Sequence, residues 1–264
     1  MTATTHDALL AGLAAELLDA ARTRVPIPPL TARHPQLTVA DAYAIQGLVA
    51  RARLDAGAVL VGRKVGLTSA AMQQMMGVGE PDFGRVFADE LIDGGGEVPL
   101  AELIQPRAEP EIAFMLASDL AGPGVTVADA LAATAYVSPA LEVIDSRVAD
   151  WRIALVDTVA DNASSGRVVL GAERVPVGDV DLAAATVALR IDGEQVAEGR
   201  GDAVLGHPAE AVAWLANTLA PFGERLRAGD LVMPGSMTAA APLAPGATVV
   251  ADYGPLGTVE VTCR

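Results

Sequence analysis

Residues 105–114 read QPRAEPEIAF, and two glutamates of that run, Glu109 and Glu111, stand two positions apart. Side chains of an extended chain alternate between faces, so both carboxylates leave the same side, roughly 7 Å apart at the backbone. The run stays apolar through AFML (113–116), which predicts a strand entering the core, where a lone carboxylate is costly to bury. Two carboxylates converging there repel unless a cation lies between them. An all-oxygen ligand set suits Mg2+ or Mn2+ rather than Zn2+. The competing reading is an exposed edge strand with both acids in solvent. A third acid, Glu142, sits in the apolar run VSPALEVID (137–145) and would complete a three-carboxylate cage. Asp145, three residues on, falls on the other strand face.

Outward from these runs, short β-like segments bounded by Gly, Pro and Asp dominate from about residue 96. They cover 97–99, 109–117, 136–144, 166–171, 185–192, 195–200, 230–233, 246–252 and 256–262. Helical spacing interrupts them at 127–134, 150–160 and 208–221, and IDGEQ (191–195) predicts a hairpin turn. Toward the N-terminus, Leu9, Leu10, Leu13, Leu17 and Leu18 recur at helical spacing over 6–24, and Pro26-Ile27-Pro28-Pro29 ends that helix. A second helix starts at Thr38, with Asp41 three residues on, and runs to Gly57. A short strand over 58–65 enters Gly66, and Thr68 and Ser69 cap a short helix through Met76. This lacks the strict strand–helix alternation of a doubly wound sheet. It predicts an α+β fold, with a mainly helical N-terminal subdomain over 1–95 and a β-rich body over 96–264 in one compact unit.

The 264 residues carry 18 basic and 33 acidic side chains, a net charge of −15. Such a surface excludes nucleic acid as the main partner and disfavours anionic membranes. Hydrophobic residues at 52% supply an ample core and exclude a disordered chain. The single cysteine, Cys263, excludes an intrachain disulfide and a multi-thiolate metal site. No run approaches the ~18 apolar residues of a membrane span. The stretch 1–24 lacks a cationic opening and carries Glu16 and Asp19 inside its apolar part, which does not fit a secretory signal. The expectation is a soluble, cytoplasmic protein. Lys64 is the only lysine, and Asn occurs only at Asn162 and Asn217. A lysine kept where the composition favours Arg suggests a need for a compact ammonium that can lose its proton; chance survival is the alternative.

The segments GRKVGLTS (62–69), GVGEPDFGRVFAD (77–89), QPRAEPEIAF (105–114), PALEVIDSR (139–147), DTVADNASSGRVVLG (157–171) and AVLGHPAEAVAWLA (203–216) occur in that order. Together they resemble the 2-keto-4-pentenoate hydratase / 4-oxalocrotonate decarboxylase family of the fumarylacetoacetate hydrolase superfamily. The resemblance runs from about Pro28 to the C-terminus. It implies a mixed β-sandwich or β-roll body with a divalent metal, Mg2+ or Mn2+, held by Glu109, Glu111 and Glu142. It implies catalytic roles for Lys64, beside the bound 2-oxo acid, and for Asp82, in acid–base chemistry. Substrate contacts are implied at Leu67, Ser164, Ser165, Gly235 and Ser236. A small 2-oxo or 2-hydroxydienoic acid substrate, a homo-oligomer and a downstream aldolase partner follow as expectations.

Two branches of the family stay open. GEPDFGRVFAD resembles the hydratase side, which adds water to 2-hydroxypenta-2,4-dienoate. SMTAAAPLAPG (236–246) and ADALAATAYVSPALEVIDSR (128–147) carry features similar to the decarboxylase of 2-oxohex-3-enedioate. Hydratase is the leading expectation. The C–C hydrolase branch is weaker, because His34 in RHPQLT has no acid three residues later. A non-catalytic partner subunit or metabolite-binding module is disfavoured by the retention of all three glutamates, Lys64 and Asp82. His207 is expected to cap a helix, Met72, Met75 and Met76 to pack, and Trp151 and Trp214 to serve the core or a subunit contact. Gly94-Gly95-Gly96 is expected to turn rather than to bind a nucleotide.

Overall fold

Three copies of the pattern Thr-x-x-Asp set three helix starts. At Thr4/Asp7, Thr38/Asp41 and Thr126/Asp129 the hydroxyl accepts a first-turn amide while the aspartate accepts the cap's own N–H. Each such cap contributes about 1 kcal/mol to its helix. The computed structural model describes residues 4–264, apart from the side chains of Ala71 and Met75. The first three residues of the N-terminal stretch and the expected packing of Met75 therefore lie outside the described residues.

In chain order the elements are α1 (Thr5–Thr23), α2 (Leu30–Arg33), α3 (Val39–Asp55), β1 (Leu60–Gly66), α4 (Ala70–Met76), β2 (Asp82–Phe87) and β3 (Leu91–Asp93). Next come β4 (Glu97–Val98), β5 (Arg107–Leu116), α5 (Val127–Ala133), β6 (Thr134–Ile144), α6 (Leu155–Ala160) and β7 (Arg167–Leu170). The chain finishes with β8 (Thr186–Ile191), β9 (Glu194–Arg200), α7 (Pro208–Leu219), β10 (Leu231–Met233), β11 (Ala241–Pro242), β12 (Thr248–Asp252) and β13 (Thr258–Cys263).

The strands form two sheets. The larger has eight strands ordered β2-β1-β10-β5-β6-β7-β3, with β11 pairing the start of β5. The smaller has five, ordered β4-β13-β12-β8-β9, and its β8–β9 hairpin turns at Asp192 and Gly193, both at positive φ as the Asp-Gly pair predicts. Alternation along β5 and β6 sends Ala108, Ile112, Phe114, Val137, Leu141 and Val143 into the core shared with the small sheet and α7. That alternation leaves Glu109, Glu111 and Glu142 on the opposite face of the large sheet. Tyr253 pins the sheets together beneath them. Its buried hydroxyl lies 2.8 Å from Glu111 O and 2.6 Å from Ala140 O, the carbonyls of two residues paired across β5 and β6.

Helices α1, α2, α3 and α6 share a second core that includes Leu10, Leu13, Leu17, Leu30, Ile45 and Val159. Buried Gln46 ties it to the large sheet, donating at 2.9 Å to the carbonyls of both Phe83 and Val159. Among the described residues no helix is long and apolar enough to cross a membrane.

The α+β sandwich with its helical layer matches the expectation, with three departures. Helical character ends at Asp55 apart from short α4, while β1, β2 and β3 pair into the same sheet as β5, β6, β7 and β10. The large sheet therefore crosses the 95/96 division. Strands β2, β3 and β11 fall where no strand was expected. The helix expected over 150–160 starts only at Leu155, because Asp150 and Trp151 take left-handed φ of 58° and 54°.

Candidate active site

Glu109 and Glu142 are direct cross-strand partners on β5 and β6, and Glu111 follows Glu109 on the same face. Each of the three offers a carboxylate oxygen within 4.8 Å of the others. Glu111 and Glu142 are fully buried, and β5 lies inside the sheet rather than at its edge, so the solvent-exposed reading of the pair is set aside. Glu111 Oε2 accepts the Gly235 N–H at 2.8 Å, but Glu111 Oε1 and both oxygens of Glu142 are buried without a hydrogen-bond donor. Orphaned buried carboxylate oxygens cost free energy unless a cation meets them. The donor set is oxygen only and fits a hard divalent cation.

Lys64 enters from β1, the strand paired to β2 on one side and β10 on the other. Its ammonium donates to Ala163 O at 2.8 Å and lies 3.1 Å from Glu142 Oε1. That second contact is an ion pair too poorly angled to satisfy the Glu142 oxygen. Burial works against the ammonium, but the charges of Glu142, Asp82, Glu109 and Glu111 outweigh it and hold the lysine pKa above its ordinary value. The carboxylates around it therefore favour the charged form of Lys64.

Asp82 opens β2 opposite Gly66 of β1. A side chain at Gly66 would collide with the Asp82 carboxylate, so the glycine is what lets this acid fold over the neighbouring strand. Asp82 is buried with Oδ1 unpartnered. Burial pushes its pKa up to about 6, against the pull of Lys64. Burial also pushes Glu109 up to about 7, with the charge of Glu142 adding to the effect. Glu111 is held well above the ordinary carboxylate range by burial and then by Glu142 and Glu109. Glu142 is raised by burial, offset in part by Lys64. All four acids are thus poised to be ionised by a cation that enters among them.

A cavity of about 470 Å³ opens onto Lys64, Asp82 and Glu109, within the roughly 300–1,000 Å³ usual for small-molecule sites. Leu67, Ser164 and Ser236 line it as expected positions, together with Thr68, Thr158 and Thr238. Met72 and Met76, expected to pack, and Trp151, expected in the core or a subunit contact, also form its wall. Trp151 carries the Arg107 guanidinium 4.7 Å above its ring and donates its indole N–H to Gln105 O at 3.0 Å. Two expected contacts fall elsewhere. Gly235 acts on Glu111 through its N–H and is not part of the cavity wall. Ser165 lines a separate cavity of about 440 Å³ behind the 161–165 segment, because the chain reverses there.

That reversal is a left-handed turn of three non-glycine residues, Asn162, Ala163 and Ser164, at φ of 55°, 51° and 55°. Each such residue costs roughly 1–2 kcal/mol. The buried Arg147–Asp161 ion pair holds the start of the turn, with Arg147 Nε 2.5 Å from Asp161 Oδ1 and Nη1 donating to Ser165 O at 2.8 Å. Asp145 N donates to Ser164 O at 2.8 Å and closes its end. The sequence flagged neither Arg147 nor Asp161, since an Arg–Asp pair fourteen residues apart has no local signature. Asp145 is structural, its carboxylate accepting the Ile104 and Gln105 amides. His207 caps α7 through Nδ1 as expected.

With this geometry in view, a family model described as the fumarylacetoacetate (FAA) hydrolase C-terminal region matches residues 65–264. The 2-hydroxyhexa-2,4-dienoate hydratase of Comamonas testosteroni is 48% identical over 233 residues, 88% of this chain and 87% of that protein. The 2-keto-4-pentenoate hydratase of Paraburkholderia phymatum is 43% identical over 256 residues, 97% of this chain and 98% of that one. Among solved structures, 4-oxalocrotonate decarboxylase from Pseudomonas putida G7, complexed with magnesium and adipate, superposes with a TM-score of 0.96. It is 39% identical, and the match covers 100% of this chain and 99% of that one. The same decarboxylase complexed with calcium and acetate superposes at 0.94.

Proposed function

The chain belongs to the fumarylacetoacetate hydrolase family, and on that premise we propose that it is a divalent-metal-dependent hydratase, a hydro-lyase. Its substrate is 2-hydroxypenta-2,4-dienoate or a 5-substituted analogue, and its product is the corresponding 4-hydroxy-2-oxo acid. The observation that carries this reading is the closure of Glu109, Glu111 and Glu142 on one point beside the Lys64 ammonium. The hydratase names of the relatives in Comamonas testosteroni and Paraburkholderia phymatum support it over the other branches.

Glu109, Glu111 and Glu142 would hold Mg2+ or Mn2+, which would supply Lewis acidity to a bound 2-oxo acid. Lys64, fixed by the Ala163 carbonyl, places a positive charge beside the 2-oxygen, where negative charge builds as the dienol hydroxyl gives its proton to solvent and again as water adds at C4; a proton taken from solvent at C5 completes the ketonisation. Asp82, with its pKa pushed up to about 6, is suited to move protons near neutral pH. It accepts a proton from water as the water oxygen bonds to C4, and returns a proton at C3. Ser164, Ser236, Thr68 and Thr158 supply hydroxyls around the substrate, while Leu67, Met72, Met76 and Trp151 offer apolar room for a C5 substituent. The product is an aldol-type acid, which suits a downstream aldolase. A homo-oligomer and a cytoplasmic setting accompany the reading.

A second reading, decarboxylation of 2-oxohex-3-enedioate, is favoured by Arg107. Its guanidinium borders the cavity and stacks on Trp151, a place able to receive a second carboxylate. Purified protein given Mg2+ or Mn2+ tests both readings: loss of dienol absorbance without CO2 release supports the hydratase, and stoichiometric CO2 supports the decarboxylase. Inertness toward both substrates would defeat the lyase reading.

A further inference from the structure

The two asparagines make the same unusual pairing, in which one side-chain amide meets both the N–H and the C=O of a single residue. Asn217 Oδ1 accepts from Val125 N and its Nδ2 donates to Val125 O, both at 2.9 Å. Asn162 Oδ1 accepts from Arg85 N and its Nδ2 donates to Arg85 O, both at 2.8 Å. The Asn217 pair ties α7 to the loop before α5, away from the cavity. The Asn162 pair is joined to it. Asn162 opens the left-handed turn whose next carbonyl, Ala163 O, accepts from Lys64 Nζ at 2.8 Å. Arg85 follows Gly84, the residue that β2 places directly opposite Lys64.

We propose that Asn162 is a positioning residue, whose amide clamps the left-handed turn to Arg85 and so presents the Ala163 carbonyl to the Lys64 ammonium. Lys64 is otherwise drawn by carboxylates alone, chiefly Glu142. The Ala163 carbonyl is the neutral acceptor that fixes the direction of one ammonium N–H while Glu142 lies 3.1 Å away. Ala163 and Ser164 disfavour left-handed backbone, so the turn needs ties at several points. Arg147–Asp161 and Asp145–Ser164 hold its ends, and the Asn162 amide holds it against the strand that neighbours Lys64. The approach is close: a Cβ at Gly84 would sit 2.5 Å from Asn162 O. Asparagine meets both demands, since it tolerates positive φ and carries a donor and an acceptor in one plane.

The inference rests on the hydratase reading in that Lys64 serves the substrate. It is tested with Asn162→Gly, which keeps the left-handed freedom and removes the amide, and with Asn217→Ala as a control for the same pairing elsewhere. Asn162→Asp, which replaces the donor to Arg85 O with a charged acceptor and keeps the acceptor for Arg85 N, takes the place of the glycine variant should that one fail to fold. With Mg2+ present, Asn162→Gly is expected to lower kcat on 2-hydroxypenta-2,4-dienoate roughly 10- to 100-fold. Its KM and Mg2+ affinity should stay within about threefold of the parent, and Asn217→Ala should keep its kcat. Because Lys64 is the only lysine, 13Cε-lysine labelling gives one lysine methylene signal, which should shift in Asn162→Gly and stay in place in Asn217→Ala. A parental kcat in Asn162→Gly, an equal kcat loss in Asn217→Ala, or an unmoved lysine signal would overturn the proposal. An inactive parent protein would instead count against the hydratase reading, and the lysine signal would still judge this one.

Discussion

Raising the pH of the metal-free protein from about 6 to about 8 should lower its melting temperature, opposite to the trend imposed by acids that are salt-bridged in the folded state. The reason lies in Glu109. Burial and the charge of Glu142 push its carboxyl from 4.5 up to about 7. An acid whose folded pKa exceeds its unfolded one binds more protons when folded. Its stabilisation is complete below the unfolded value and is lost as pH rises through the folded one. A tenfold change in proton affinity is worth about 1.4 kcal/mol, so Glu109 alone withdraws about 3 kcal/mol in total as pH rises from below 4.5 to above 7, of which about 1.4 kcal/mol falls between pH 6 and 8. Asp82, Glu111 and Glu142 are shifted the same way. A divalent cation reverses the trend, because it binds the ionised, folded cluster. At a concentration of 100 times Kd it adds about 2.7 kcal/mol, which for a chain of this length raises Tm by roughly 5–10 °C. Scanning calorimetry in EDTA and in Mg2+ across that pH range provides the assay. The Mg2+ increment should grow with pH, as protons leave the ligands, and Glu142→Gln should lose most of it. A metal-free Tm that climbs with pH, or an increment equal at both ends, would refute the reasoning.

Asp82→Asn should lower kcat by roughly 10²–10⁴ while calorimetric Mg2+ affinity stays at the parent value; unchanged turnover removes Asp82 from the mechanism. Lys64→Arg should cost roughly 100-fold in kcat, because the planar fork of Arg cannot occupy a site built around one ammonium. A near-parental rate would show that charge alone suffices. Arg147→Met leaves Asp161 buried and unpaired, which should cost about 3–5 kcal/mol by urea denaturation; a loss near zero would mean that the 161–165 turn holds itself.

The parts of the fold and site written in neighbouring residues were the parts legible in the sequence. The Thr38 cap with Asp41, the Asp192-Gly193 turn and the two-residue spacing of Glu109 and Glu111 depend only on local chemistry. The meeting of Glu142 with that pair came from its place in an apolar run and from the family resemblance. Strand β2 was hidden because its first residue is a buried acid and its third, Gly84, is there to admit the 162–164 turn. Ser165 shares a motif with Ser164, yet three left-handed residues reverse the chain and send it to another cavity. Trp151 reads as a core residue by type, and only the left-handed φ at Asp150 and Trp151 carries its ring to Arg107 at the cavity wall. Such departures depend on long-range partners, Arg85 and Arg147 among them, which spacing does not encode.

The central claim is that three glutamates form one cage for a hard dication next to a lysine. Crystals grown with Mn2+ and measured at the manganese absorption edge test it most directly. The account requires one anomalous peak bonded to oxygens of Glu109, Glu111 and Glu142, with Lys64 Nζ beside Glu142. A peak bound elsewhere, or a fully occupied ion that leaves any of the three glutamates out of its coordination, would contradict it.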